Sequence, residues 1–274
     1  MLASLAGVPN DLPVPYTDGC HVGTGGSLPA KPCLYGHTGS STTIALYGDS
    51  HAVAWFPALL RVVNDRGWRL LSLTMSGCVP ADIAPYAPST NSVSTACLAF
   101  RKAAIARIAK DRPAVVIVAG TRGFETINAA GKGLKGAART DAWIAGMGRT
   151  LAKLVPVSGR VVMMGDTPNS RFSDPAGCIG ANPSHALACA TPISTAINYA
   201  WLNTEYGVAI ARHVAFIDPE LWLCPTSPCP LVRGANVVYR NGSHMTARFS
   251  STLWPKLEAA ILLVRKQPGV VVGP

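Results

Sequence analysis

The amino-acid sequence predicts an α/β fold with a mainly parallel sheet covered by helices on both faces. Short apolar runs alternate along the chain with segments whose apolar residues recur at helical spacing, and this alternation is typical of parallel sheets. The run AVVIVA at residues 114–119 is apolar throughout and rich in β-branched residues, as expected for a strand buried on both faces. The chain has 274 residues, 49% of them hydrophobic, which is enough to bury the core of one large domain.

The same patterns assign the elements in chain order. Predicted strands cover residues 44–47, 68–74, 114–119, 160–165 and 214–217. Predicted helices cover residues 52–65, 96–110, 141–154, 194–206 and 245–264, with a loop at 131–139 and a bend near Pro255. Residues 1–43 are rich in Pro, Gly, Ser and Thr and show no periodicity. We therefore expect an irregular extension over residues 1–43, packed on a domain that spans residues 44–274.

The first predicted strand ends in the motif Gly-Asp-Ser-His at residues 48–51 and leads directly into a helix. A serine at this point lies at the carboxyl edge of the sheet, where ligands of parallel sheets bind, and beside a helix N-terminus. The hydroxyl of Ser50 becomes a good nucleophile only when a base takes its proton. His244, in the motif Asn-Gly-Ser-His at 241–244, is the candidate base.

Eight cysteines fall in four local couples along the chain. None of them has the Cys-x-x-Cys spacing of zinc or redox sites. Proximity predicts the disulfides Cys20–Cys33, Cys78–Cys97, Cys178–Cys189 and Cys224–Cys229. Four disulfides would place the domain outside the cytoplasm, and the alternative is a set of buried free thiols.

The formal net charge is +10, from 24 Lys and Arg against 14 Asp and Glu. The basic residues are scattered and do not interleave with aromatic residues as a nucleic-acid groove requires, so we expect no nucleic-acid partner. A basic surface suits contact with an anionic membrane, where each basic residue adds ~1 kcal/mol, or is an ordinary solvated surface. No apolar run approaches the ~20 residues that span a bilayer, and residues 1–9 lack the features of a signal peptide.

The motifs at 48–51 and 241–244 resemble those of the SGNH (GDSL-like) hydrolases. They are more similar still to the SGNH domains attached to membrane-embedded acyltransferase-3 (AT3) proteins, which acylate bacterial surface glycans. The resemblance covers the chain from about residue 40 onward. It implies a three-layer α/β/α, flavodoxin-like fold, and a soluble domain cut from a longer membrane protein.

This resemblance also implies roles for particular residues. Ser50 would be the nucleophile and His244 the general base, while the backbone N–H groups of Ser50 and Gly77 would form the oxyanion hole. Asn241 stands where the family has an aspartate. An amide can orient the histidine but carries no charge, so the resemblance predicts a weak enzyme with an incomplete triad.

Other positions at the strand ends leave alternatives open. Residues 120–122 read Gly-Thr-Arg where the family has Gly-x-Asn, so a third oxyanion donor is missing. Arg122 could bind the oxyanion or an anionic substrate, or it is a loop arginine in water or in an ion pair. His51 is a candidate substrate-binding residue of the pocket wall or a residue of the first helical turn. Asp166 and Asp218 are alternative acids for orienting the histidine, or loop and capping residues.

The implied function is that of an extracytoplasmic domain that transfers an acyl group, acetyl by preference, through an acyl-enzyme on Ser50. The acceptor would be a hydroxyl of a cell-envelope carbohydrate or glycolipid, and a membrane-embedded AT3 domain would supply the acyl donor. No cofactor is expected, and no metal, because the remaining histidines do not cluster with carboxylates at metal-ligand spacing. Two alternatives remain: a free carbohydrate or lipid esterase, with water as the acceptor, and a catalytically weakened glycan-binding domain.

Overall fold

The computed structural model describes residues 5–267 and 269–273. Its strands are β1 (His21–Val22), β2 (Leu34–Gly36), β3 (Thr43–Gly48), β4 (Arg69–Met75), β5 (Tyr86–Ala87), β6 (Ser92–Val93), β7 (Val115–Ala119), β8 (Val161–Met164), β9 (Ala215–Ile217), β10 (Val232–Arg233), β11 (Asn236–Val237) and β12 (Val271–Val272). The central sheet follows the order β1-β4-β3-β7-β8-β9-β12, and β2 also pairs with β4. Every pair along this order is parallel, whereas β2 is antiparallel to β4.

Helices connect most of these strands. They are α1 (Ser50–Val53), α2 (Phe56–Arg66), α3 (Thr95–Asp111), α4 (Gly136–Leu154), α5 (Pro175–Ala181), α6 (Ile193–Ala196), α7 (Tyr199–Ala211), α8 (Glu220–Leu223), α9 (Ala247–Thr252) and α10 (Trp254–Lys266). Short 3-10 helices lie at Leu5–Asn10, Val14–Tyr16, Val155–Val157 and Ala186–Cys189. Among the described helices, none is long and apolar enough to span a membrane.

The two faces of the sheet bury separate apolar clusters. On β3, Ile44 and Leu46 join one cluster while Ala45 and Tyr47 join the other, as the two-residue period of a strand requires. Helices α1, α2, α9 and α10 cover the first face, and α3, α4 and α7 cover the second. The structure thus has the three α/β/α layers and the mainly parallel sheet that the sequence predicted. The five predicted strands are all present, within one or two residues of their expected ends.

Two predicted helices are broken at prolines. Residues 52–65 form α1 and α2 instead of one helix, because Pro57 lies in the first turn of α2 and has no N–H to continue the helix that α1 begins. Residues 245–264 form α9 and α10, with Pro255 in the first turn of α10. The second break is the predicted bend, and the first is a correction to the sequence prediction.

The helix predicted at residues 194–206 is interrupted as well. It consists of the short α6 and of α7, which begins five residues later than expected and runs on to Ala211. The side chain of Asn198 accepts a hydrogen bond from the backbone N–H of Trp201 at 3.0 Å and caps the start of α7.

Helix α4 begins at Gly136, so the predicted loop at 131–139 is wrong in its last four residues. Asp141 resembles a helix start in the sequence, but it lies in the second turn of the helix. The first turn is held instead by Arg139, whose guanidinium lies 5.0 Å from the ring centre of Phe124 and donates to the Phe124 carbonyl.

The extension at residues 1–43 is not irregular throughout. Strands β1 and β2 belong to it, and both pair with β4 at one end of the central sheet. They are only two and three residues long, too short for any periodicity to be recognised. The boundary of the main domain at residue 44 stays a prediction.

All four predicted disulfides are present: Cys20–Cys33, Cys78–Cys97, Cys178–Cys189 and Cys224–Cys229. No cysteine among the described residues is free. Each bridge closes a local loop, with sequence separations of 13, 19, 11 and 5 residues in chain order.

Candidate active site

The nucleophile motif occupies the turn between β3 and α1. Gly48 has φ 153°, and an added Cβ there would lie 1.8 Å from the carbonyl oxygen of Ala119 on β7, so the motif requires glycine at this position. The buried carboxylate of Asp49 accepts hydrogen bonds from the N–H of His51 at 2.8 Å and of Thr121 at 2.9 Å. These contacts fix the turn and leave Ser50 as the first residue of α1.

Ser50, His244 and Asn241 form a hydrogen-bonded chain. The Oγ of Ser50 lies 2.8 Å from Nε2 of His244, and Nδ1 of His244 lies 3.1 Å from Oδ1 of Asn241. An amide oxygen only accepts hydrogen bonds, so Nδ1 carries the hydrogen and Nε2 presents a lone pair to the serine hydroxyl. This is the tautomer that a general base needs. The structure therefore brings together three residues that the sequence proposed from motifs nearly 200 positions apart.

The loop that carries the histidine is itself held in place by Asn241. Its Oδ1 also accepts from the backbone N–H of Ser243 at 3.1 Å and of His244 at 2.9 Å. The N–H of Arg240 donates to the His244 carbonyl at 2.9 Å. The amide thus organises the turn and orients the imidazole at once, because a single oxygen receives all three hydrogen bonds.

The surroundings of His244 keep it neutral. Burial, together with the positive charges of His51 and Arg240, lowers the pKa of His244 to about 3 against the opposing effect of the Asp166 carboxylate. The residue is consequently ready to accept a proton across the physiological pH range. The same surroundings oppose the imidazolium that forms once the proton has moved.

A second cluster lies beside the first. Asp166, which follows β8, accepts from Nδ1 of His51 at 2.6 Å, and its other oxygen accepts from the backbone N–H of Arg122 at 2.9 Å and from its guanidinium at 3.4 Å. The rings of His51 and His244 meet edge to face with their centres 4.8 Å apart. Asp166 therefore orients His51 and not His244, which answers the alternative that the sequence left open.

The charges of this second cluster stabilise one another. Burial alone would lower the pKa of His51, but the Asp166 carboxylate outweighs it and the pKa lies above the usual range. Burial would likewise raise the pKa of Asp166, yet His51 and Arg122 hold it below its usual range. Both shifts favour the charged forms of His51 and Asp166, and Arg122 lies beside them as an additional cation.

The guanidinium of Arg122 is largely engaged by the protein. Besides Asp166, it donates to the carbonyl oxygens of Thr167 at 3.0 Å and Ala196 at 3.1 Å. The ion pair that the sequence analysis kept as an alternative is the arrangement found. Asp218 accepts from the N–H of Glu220 at 2.9 Å in the loop that leads into α8.

The predicted oxyanion donors lie at one edge of the sheet. Gly48 pairs with Thr74 across β3 and β4, so Ser50 and Gly77 follow neighbouring strand ends. Gly77 has φ 67°, which suits glycine, and the adjacent Cys78 is bonded to Cys97. As the first residue of a helix, Ser50 has a backbone N–H without an intrahelical partner. Their joint action as an oxyanion hole stays a prediction.

Three residues next to the site were missed by the sequence analysis. Arg240 places its guanidinium 5.4 Å from the ring centre of Tyr16 and donates to the Tyr16 hydroxyl at 3.2 Å. Tyr16 packs on His21, whose ring nitrogens contact hydroxyls of β4 and the turn after it. Tyr16 and His21 lie in the segment predicted to be irregular, so nothing in the sequence linked them to the site. Position 240 directly precedes the second motif, which was the available signal.

No metal cluster is evident in the part of the chain that the structure describes: no group of three or more His, Cys, Asp or Glu side chains is arranged to hold an ion. The site offers a hydroxyl with a hydrogen-bonded base, a second histidine paired with a carboxylate, and backbone N–H groups at a sheet edge, which together suit acyl transfer through a serine ester.

A comparison with solved structures found several that are similar to this chain. The periplasmic domain of a lipopolysaccharide acetyltransferase from Salmonella ser. Paratyphi A is 18% identical, with a TM-score of 0.65 over 81% of this chain and 84% of that one. A GDSL-like lipase from Bacteroides thetaiotaomicron is 12% identical, with a TM-score of 0.44 over 82% and 88%. An acetylxylan esterase from Geobacillus stearothermophilus is 12% identical, with a TM-score of 0.42 over 85% and 97%.

Curated protein sequences gave no match to this chain. The model of one family, described as the SGNH domain (fused to AT3 domains), matches residues 19–259. The match extends over most of the chain and includes both motifs and all the residues of the two clusters. The chain belongs to this family of SGNH domains.

Proposed function

We propose that this chain is the extracytoplasmic catalytic domain of an O-acyltransferase, which passes an acyl group, acetyl by preference, to a hydroxyl of a cell-envelope carbohydrate or glycolipid. The observation that carries the proposal is the 2.8 Å contact between Ser50 Oγ and His244 Nε2, with Asn241 fixing the tautomer. Membership of a family fused to AT3 domains supports a membrane-embedded partner domain as the source of the acyl donor.

Two observations support the acceptor and the compartment. The Salmonella domain with the same fold is named as part of a lipopolysaccharide acetyltransferase, and a surface glycan is the kind of acceptor we propose here. The four disulfides suit an oxidising compartment. The formal charge of +10 is compatible with a position close to an anionic membrane.

The contact between Ser50 and His244 supports a serine mechanism. Ser50 Oγ attacks the acyl carbonyl while His244 Nε2 takes its proton, and the tetrahedral intermediate collapses when the donor's leaving group departs with that proton. The acceptor hydroxyl then gives its proton to His244 and attacks the acyl-enzyme. Ser50 leaves as the alcohol after the proton returns from His244. Water in place of the sugar would make the same domain an esterase.

Asn241 favours a slow version of this chemistry. An aspartate at this position would lie against Nδ1 of His244 and stabilise the imidazolium, whereas the amide offers only orientation. His51 and Arg240 add positive charge near the same ring. A catalytically weakened domain that binds the glycan is therefore the second candidate function.

The proposal is tested by the turnover of p-nitrophenyl acetate by the wild type, Ser50→Ala and Asn241→Asp. We expect a slow wild type, no turnover above background for Ser50→Ala, and a gain of at least about tenfold for Asn241→Asp, because the added carboxylate stabilises the imidazolium. A serine-directed phosphonate should add its mass to the wild type and not to Ser50→Ala. If the three proteins match the background and no label is taken up, the glycan-binding function replaces the catalytic one.

A further inference from the structure

The residue after the nucleophile has the surroundings of a catalytic histidine. His51 binds a carboxylate through Nδ1, at 2.6 Å from Asp166, and its side chain is 7% exposed while that of Asp166 is 1% exposed. Its Nε2 has no hydrogen-bond partner among the described residues and is not sealed from solvent. A histidine whose only role was to connect two elements through a hydrogen bond would not need an unpaired Nε2 at the surface of the site.

The ring of His51 lies against the catalytic base. His51 adjoins Ser50 in α1, and its ring contacts the ring of His244. The contact is edge to face, at 63° and 4.8 Å between centres. Nε2 of His244 already contacts the Ser50 hydroxyl at 2.8 Å. His51 is therefore available to contact another atom of the reacting groups.

We propose that His51 is a second catalytic residue, which donates its Nε2–H to the oxygen that becomes negative when Ser50 attacks the acyl carbonyl. The inference deepens the proposed acyl transfer and rests on it. Asp166 holds the ring through Nδ1 and favours its protonated form, and the backbone N–H of Arg122 donates to Asp166. The family's asparagine donor is absent from residues 120–122, and a charged imidazole N–H would take its place.

The step leaves every proton accounted for. The Ser50 Oγ–C bond forms, the electron pair of the C=O π bond moves to the oxygen, and the Ser50 proton goes to His244. His51 keeps its own proton throughout and contributes a charge-assisted hydrogen bond, which is strongest when the oxygen is negative. These separate roles account for surroundings that favour the neutral form of His244 and the charged form of His51.

The ionisation of His51 gives this role a pH signature. The charged and titratable groups that surround His51 and Asp166 are Asp49, Arg122, His244, Glu205, Glu220 and Tyr239. Burial opposes the charged form of His51, but Asp166 outweighs it and raises the pKa of His51, so the ring keeps its charge to higher pH than a free imidazole does. Activity that needs the charged form should decline as the pH rises through this ionisation.

Two substitutions separate catalysis from structure. His51→Asn keeps a nitrogen near Nδ1 for Asp166 and removes Nε2, while His51→Gln keeps a neutral nitrogen near Nε2. We expect kcat for p-nitrophenyl acetate to fall about 10²- to 10³-fold in His51→Asn with KM little changed, and to fall less in His51→Gln. The decline in wild-type activity as the pH rises through the ionisation of His51 should be absent from His51→Asn. His37→Asn, at an exposed position, is the matched control and should keep wild-type kcat.

The inference is overturned if folded His51→Asn keeps the wild-type kcat and pH profile while Ser50→Ala is inactive. Failure of the proposed function looks different, because the wild type and Ser50→Ala would then be alike. Should His51→Asn not fold, an NMR titration of the ring nitrogens of the wild type decides the matter. The proposal requires that His51 loses its proton over the same pH range in which turnover declines. A constant turnover across that pH range would refute the role.

Discussion

Asn241 gives the site an orienting group without a charge. Its oxygen accepts from the ring Nδ1–H of His244 and from the backbone N–H groups of Ser243 and His244. The amide therefore orients the imidazole as an aspartate would. What is missing is the electrostatic stabilisation of the imidazolium. The negative charge near the site lies on Asp166 instead, where it supports His51. The structure thus separates two properties that a serine triad normally combines in one carboxylate.

The base should work at unusually low pH. His244 acts as a base only when it is neutral, which is the case above its pKa of about 3, so kcat/KM should rise with pH through about 3 and be fully developed by weakly acidic pH. Arg240 is one of the positive charges that lower this pKa. In Arg240→Gln the acid side of the pH profile should therefore move to higher pH, as measured by p-nitrophenyl acetate turnover.

A charge-matched control is available on α2. Arg61 is exposed and stacks on Trp254, and Arg61→Gln should leave the acid side of the profile in place. Circular dichroism at each pH must show folded protein, because Asp166 also becomes protonated in acid. An unchanged profile in folded Arg240→Gln would contradict the electrostatic effect that we assign to this arginine.

Elements defined by neighbouring residues were predictable from the sequence, while those that depend on distant partners were not. The turn from β3 into α1 is encoded by four consecutive residues, 48–51, and it has the predicted position. The contact between Asp166 and His51 joins residues 115 positions apart, and no local pattern announces it. Strand β1 likewise acquires its conformation from pairing with β4 and not from its own two residues.

The β3 turn should be intolerant of any side chain at Gly48. In Gly48→Ala the new Cβ would meet the Ala119 carbonyl oxygen at 1.8 Å, at a φ of 153°, and β3 and β7 would have to separate. We expect the free energy of unfolding to fall by about 3 kcal/mol or more, given the combined clash and backbone strain. Urea denaturation followed by tryptophan fluorescence measures this change.

Gly207→Ala is the matched substitution. Gly207 is exposed within α7, and nothing lies within 4 Å of an added Cβ, so helix propensity should raise the free energy of unfolding by up to about 1 kcal/mol. Equal effects of the two substitutions would show that the close approach of β3 and β7 does not determine the need for glycine at position 48.

Across the whole molecule, the disulfides connect stability with the site. Each joins cysteines that are close in sequence, which is why proximity alone predicted all four pairs. Cys78–Cys97 differs from the others in its place. It ties the turn that contains Gly77 to the start of α3, so the predicted oxyanion donor is held by a covalent bond as well as by the sheet.

Removing individual disulfides should therefore separate stability from catalysis. In the chain-entropy account, a 19-residue separation, as in Cys78–Cys97, contributes about 3 kcal/mol, and a 5-residue separation, as in Cys224–Cys229, about 2 kcal/mol. Replacing both cysteines of a pair by alanine should lower the free energy of unfolding by these amounts, as measured by urea denaturation.

Only the loss of Cys78–Cys97 should also lower kcat for p-nitrophenyl acetate under conditions where both variants are folded, because the Gly77 turn is then free to move. If the Cys224–Cys229 variant loses as much turnover as the Cys78–Cys97 variant, the covalent support of the Gly77 turn has no special part in catalysis.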